Sequence, residues 1–110
     1  ASSSPPVPLY HEEPAVLHVN GELETLMPGF LARRRQDVIQ MTEALAREDF
    51  EVMREIGHGL KGAGGTYGLE AITAYGRSLE TAASRKDAPA VREILERLRR
   101  FLDRLQLIYV

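Results

Sequence analysis

From Leu23 onward the apolar positions of this chain fall three and four residues apart, the spacing of one face of an α-helix. Leu23, Leu26, Met27, Phe30, Leu31, Val38, Met41 and Leu45 form a first such stripe, with Pro28 placed to open a new helix or to kink the first. A second stretch, set off by Glu48 and Asp49, carries Val52, Met53, Ile56, Leu60 and Tyr67, and a third carries Leu69, Ile72, Tyr75, Leu79 and Ala83. Asp87 then stands where an N-cap belongs, with Pro89 tolerated in the first turn. Behind it Val91, Ile94, Leu95, Leu98, Leu102, Leu105 and Ile108 make the longest stripe of all. Only short connections fit between these stretches, so neighbouring helices are expected to run antiparallel. The predicted fold class is all-α, an up-down antiparallel four-helix bundle. No strand signal is read anywhere.

Ahead of the stripes the pattern dissolves. Residues Ala1 to Pro14 combine serines with four prolines and keep no period, which reads as a tail or linker. Ala15 to Val19 is a short apolar stretch able to pack as an extended arm or short helix against the bundle, and Asn20, with Glu22 and Glu24 behind it, is a reasonable helix start. The expected division is therefore a flexible tail over 1–19 and the bundle domain over 20–110.

Length and composition narrow the function. At 110 residues there is room for one hydrophobic core and not for two domains. The absence of cysteine removes disulfides and thiolate metal clusters. No apolar run is long enough to span a bilayer and no signal-peptide order is present, so a cytoplasmic protein without direct membrane contact is expected. A net charge of −2, with acidic and basic residues interleaved, provides no field for nucleic acid.

The anomaly is glycine. Six of the nine glycines fall between Gly57 and Gly68, within a stretch whose apolar period is helical. With Gly68 as terminator, the remaining five forfeit on the order of 4 to 5 kcal/mol relative to alanine. A domain holds only about 5 to 15 kcal/mol in total. Bare backbone must therefore be needed there, for close packing or for access. At about 100° per residue, Met53, Ile56, Leu60, Gly64 and Tyr67 share the core face with Gly57 at its edge, while His58 points about 150° away from its centre. Gly62 and Gly65, at i+4 and i+7, lie beside His58 and clear the surface around it. Lys61, at i+3, projects next to the imidazole and can reach an anion placed on it.

A single histidine is usually surface decoration or a satisfied core group, but neither role requires bare helix on one side and a cation on the other. A neutral imidazole is a competent nucleophile at physiological pH and can take a phosphoryl group from an acyl phosphate. The Lys61 ammonium would stabilise that dianionic group in transit and on the ring.

The run His58-Gly59-Leu60-Lys61-Gly62, followed by Gly65 and Gly68, resembles the H-x-L-K-G-x-x-G-x-x-G signature of histidine-phosphotransfer (HPt) domains of two-component phosphorelays. Leu26-x-Pro28-x-Phe30-Leu31 and Leu79-Glu80-x-Ala82-Ala83 are similar to the flanking pattern of that family, and the likeness covers roughly residues 20 to 105. The resemblance implies that His58 is phosphorylated through Nε2, that the partners are response-regulator receiver domains with a hybrid histidine kinase as a further candidate, and that Gly62 and Gly65 admit the receiver. It also implies that Glu80 on the next helix hydrogen-bonds the other ring nitrogen and holds the tautomer with Nε2 free. Gly59 departs from the larger residue common after the histidine. No cofactor is expected on this chain, the Mg²⁺ of the transfer being assigned to the receiver. A monomer is expected, acting as a stoichiometric phosphocarrier rather than as an autonomous kinase. An apolar docking patch near His58 is expected as well, its side chains unassigned.

Two rivals from other classes stand beside this reading: an interaction bundle that docks receivers without phosphorylation, and a helical hydrolase with His58 as general base. The hydrolase needs an enclosed pocket, against which the glycines argue. Gly57 to Gly62 also spells G-x-G-x-x-G, but no strand precedes it, and the phosphate-binding G-x-x-x-x-G-K-[ST] loop is missing. Arg34 falls inside an apolar stripe and reads as a rim or ion-paired residue, and the arginines at 92, 97, 99, 100 and 104 read as partners for Glu93, Glu96 and Asp103. Tyr67 and Tyr75 read as core rings with a polar tip, and His11 and His18 are poorly spaced for a metal.

Overall fold

The computed structural model describes residues 15–110. The segment 1–14, read above as tail and containing His11, lies outside the described residues. Strand β1 (Ala15–Val19) leads into a short 3-10 turn (Gly21–Leu26), followed by α1 (Met27–Ala46), α2 (Phe50–Tyr67), α3 (Glu70–Ser84), α4 (Ala88–Arg104) and strand β2 (Leu105–Tyr109). Each helix packs against the next and α4 closes back on α1, so the four form an up-down bundle around one core. The all-α bundle predicted from periodicity is the fold observed.

The helix boundaries follow the capping chemistry. Asn20 accepts a hydrogen bond from the Glu22 amide at 2.8 Å, but it starts the 3-10 turn rather than an α-helix. The α-helix proper begins at Met27 with Pro28 in its first turn. Asp49 caps α2 through the Val52 amide and Asp87 caps α4 through the Ala90 amide. Both capping aspartates follow a left-handed residue, Glu48 at φ 55° and Lys86 at φ 57°, so the two hairpin turns, Arg47-Glu48-Asp49 and Arg85-Lys86-Asp87, are alike. Gly68, at φ 72°, ends α2 in the conformation that glycine tolerates best.

The core takes Met27, Met41, Met53, Leu60, Ile72, Leu79, Val91, Leu98 and Leu102, all essentially removed from solvent. Phe30 and Tyr67 meet edge to face at 4.9 Å, and Tyr75 packs on Phe101, which places both tyrosines in the half-buried role expected of them. Arg34 and Asp37 are the buried charged residues among those described, paired at 2.9 Å, with the Arg34 guanidinium over the Phe30 ring. On α4, Arg97 pairs with Glu93, Arg99 with Glu96 and Asp103, and Arg100 with Glu96.

The strands correct the sequence reading. β1 and β2 pair in parallel, Ala15 opposite Leu105 and Val19 opposite Tyr109. The arm anticipated at 15–19 is thus a paired strand that seals the core with Val19, 1% exposed, although the sequence division counted it with the tail. The fourth stripe was extended through Leu105 and Ile108 as helix, whereas α4 stops at Arg104. Leu102, Leu105 and Ile108 satisfy a three-residue step, but Leu105, Leu107 and Tyr109 satisfy a two-residue step just as well. Over five residues the two periods cannot be told apart. The partner that decides between them lies 90 residues away, from 15 to 105, beyond any local signal.

Candidate functional site

Glycine makes the site possible by letting α2 and α3 touch. A Cβ on Gly57 would sit 2.8 Å from the Glu80 backbone nitrogen, one on Gly64 would sit 2.5 Å from the Thr73 nitrogen, and one on Gly76 would sit 2.3 Å from the Lys61 nitrogen. None of these separations is available to a real side chain, so the two helices approach backbone to backbone along a glycine seam. Gly76 in α3 was not singled out from the sequence; a lone glycine within an otherwise good helical stripe was the available signal. Thr73 Oγ1 adds a hydrogen bond to the Lys61 carbonyl across the same seam, at 3.4 Å.

This close approach carries Glu80 to the two polar groups of α2. Its Oε2 lies 3.0 Å from His58 Nδ1 and its Oε1 lies 2.9 Å from Lys61 Nζ, so one carboxylate bridges both. The His58 side chain is 66% exposed, Lys61 35% and Glu80 21%. The hydrogen bond donated by Lys61 holds the Glu80 carboxyl below its ordinary range, opposed by partial desolvation and assisted by His58. A carboxylate in that state accepts hydrogen bonds and donates none. The proton of a neutral His58 ring therefore sits on Nδ1, and the Nε2 lone pair is left free. Among the described residues no group hydrogen-bonds Nε2. The sequence placed Lys61 beside the ring; the structure has its ammonium on the carboxylate that orients the ring.

The other three helical glycines do the opposite of the seam. A Cβ on Gly59, Gly62 or Gly65 would meet nothing within 4 Å. All three are exposed, and with His58 on the same outer side of α2 they leave open ground around the imidazole. The large exposed hydrophobics, Val16, Leu26, Ile39, Ile108 and Val110, lie off α2 and α3, while Val52, Ile56 and Tyr67 of α2 are partly buried. Arg54 was passed over in the sequence, though it stands one turn before His58. It is held by Glu51 at 2.6 Å, and the negative charge of Glu80 is felt at its guanidinium. Its position at i−4 from the histidine was the signal. Among the described residues no group of three or more histidine and carboxylate side chains is placed to hold a metal ion, and no helix is long and apolar enough to cross a membrane.

Fold and site together define a helical bundle that presents one oriented, solvent-facing imidazole. The family model for the Hpt domain matches residues 25–107, and the chain belongs to that family, the histidine phosphotransfer modules of two-component signalling. No curated protein and no solved structure matches the chain significantly.

Proposed function

We propose that His58 accepts a phosphoryl group from the aspartyl phosphate of a response-regulator receiver domain and passes it to another receiver. The observation that supports this most directly is the exposed His58 ring with Nδ1 on Glu80 at 3.0 Å, which commits the free lone pair to Nε2. That lone pair attacks phosphorus, an N–P bond forms, and the P–O bond to the aspartyl carboxylate breaks, returning its electron pair to that carboxylate. The Nδ1 proton stays on the ring, where the Glu80 carboxylate stabilises the positive charge that develops.

Lys61 supplies the cation for the transferred group. Its ammonium exchanges Glu80 Oε1 for a phosphoryl oxygen, and Glu80 keeps the ring with its other oxygen. Gly62 and Gly65 give the receiver room to bring its phosphoaspartate to Nε2. The Mg²⁺ of the reaction belongs to the receiver, and this chain acts as a stoichiometric carrier, as a monomer and in the cytoplasm.

Incubation with a phosphorylated receiver domain tests the proposal. Acid-labile, base-stable phosphate is expected on the native chain and not on His58→Gln. Receiver binding without transfer to the native chain would overturn it in favour of a docking module that works without phosphorylation.

A further inference from the structure

The far side of α3 carries a second feature with no part in the chemistry above. Two depressions of about 340 Å³ each lie between α3 and α4 and share Ser78 and Ile94, so they form one groove along α3 from Ala71 to Arg85. Its floor is small and apolar, with Ala74, Ser78 and Ile94 in sequence and the Tyr75 and Phe101 rings at one end. At 1.5 Å per residue the groove is about 21 Å long, the length of a four-turn helix.

Its α3 rim is cationic. Arg77 and Arg85 stand on the α3 side, while Arg97 on the α4 side shares its charge with Glu93 at 2.9 Å. Neither Arg77 nor Arg85 has an ion-pair partner among the described residues. Asp87, the acidic residue in the groove, is committed to the Ala90 amide as a helix cap. The positive fields of Arg97 and Arg104 reach the Tyr75 hydroxyl at the aromatic end. A groove of this sign stands out on a chain whose net charge is −2.

We infer that this groove is a docking site for an amphipathic α-helix of a partner protein, apolar along the face that enters and acidic along the flank that meets Arg77 and Arg85. Alanine and serine at three- and four-residue steps on α3 let a helix approach closely, ridge into groove. Arg77 and Arg85, the arginines of the groove without an ion-pair partner among the described residues, select carboxylates beside the buried stripe and repel a basic helix. Ser78 lies about 160° around α3 from Glu80, so a helix seated here leaves the His58 face open. The same domain can then be held by one partner while it exchanges phosphate with another.

The probe is a synthetic helix of about 14 residues, leucine along one stripe and glutamate on both flanks, titrated against the full chain by fluorescence anisotropy and by amide chemical shifts. Saturable binding is expected, with shifts confined to α3 and α4 residues of the groove and affinity falling about tenfold or more in the doubly substituted Arg77→Glu, Arg85→Glu chain. The flanking-lysine version of the peptide is expected to bind at least tenfold more weakly. Phosphoryl uptake by the doubly substituted chain is expected to match the native rate, and His58→Gln is expected to bind the peptide normally, so failure of phosphotransfer and failure of docking are read separately. No binding, equal binding of the lysine version, shifts centred on His58, or equal affinity for single-stranded DNA of the same length would each overturn the assignment.

Discussion

At the scale of single residues, Glu80 is shared between His58 and Lys61, and the proposed chemistry turns on that sharing. The hydrogen bond from Lys61 is the first cause of the carboxylate's lowered pKa, so Lys61→Ala should move the Glu80 titration upward, toward the ordinary carboxylate range, as followed by side-chain carboxyl NMR. An unmoved Glu80 would mean that the 2.9 Å contact does not persist in solution. The same substitution should slow phosphoryl transfer about tenfold to a hundredfold, since it removes a cation aimed at developing charge. The sign of the pH effect follows from the direction of the shift. Glu80 is more acidic folded than unfolded, so its contribution to stability is present above the unfolded carboxylate range and is lost as pH falls through the lowered value.

Asp37 behaves in the opposite sense. Burial raises its pKa and outweighs the attraction of Arg34 at 2.9 Å. Its contribution is therefore fully present below the unfolded value and declines as pH rises through the raised folded one. Asp37→Asn strands the buried guanidinium and Arg34→Met strands the buried carboxylate, so each should cost about 3 kcal/mol in chemical denaturation at neutral pH. A cost below about 1 kcal/mol for either would show that the remaining charge reaches solvent and is not stranded. The sequence marked Arg34 as a rim or ion-paired residue because it interrupts an apolar stripe; nothing in the pattern could say that it would be buried with a partner three residues along the same helix.

At the scale of elements, the glycines divide into two sets with opposite consequences. Gly76→Ala drives a methyl into the Lys61 backbone, forces α2 and α3 apart, and should cost about 2 to 3 kcal/mol while slowing transfer, because Glu80 travels with α3. Gly59→Ala meets nothing and should stabilise the chain by about 0.5 to 1 kcal/mol, with transfer retained. Thermal melts beside a transfer assay distinguish the two, and a destabilised Gly59→Ala would contradict the open ground described around His58. Much of this division was legible in advance: helical angles placed Gly64 inside, Gly62 and Gly65 outside, and His58 with the latter. What remained hidden were the residues whose meaning depends on a facing helix. Gly76 reveals itself only opposite Lys61, and the Lys61–Glu80 contact only once the seam brings α3 within reach. The β strands were hidden for the same reason, since their hydrogen bonds join segments at the two ends of the described chain.

At the scale of the whole molecule, the parallel pairing of β1 with β2 governs how the bundle responds to tension. A chain pulled at both ends tries to slide Ala15–Val19 past Leu105–Tyr109 along their common direction. Force then falls on every bond of the ribbon at once, whereas an antiparallel hairpin would unzip one bond at a time. Single-molecule extension should therefore show one abrupt rupture, with the four helices unravelling only afterwards. Replacing Leu17 by proline, which removes a ribbon amide from its strand and disturbs the pairing, should lower that rupture force sharply. The bundle is in this way fastened by a clasp that joins β1 to β2.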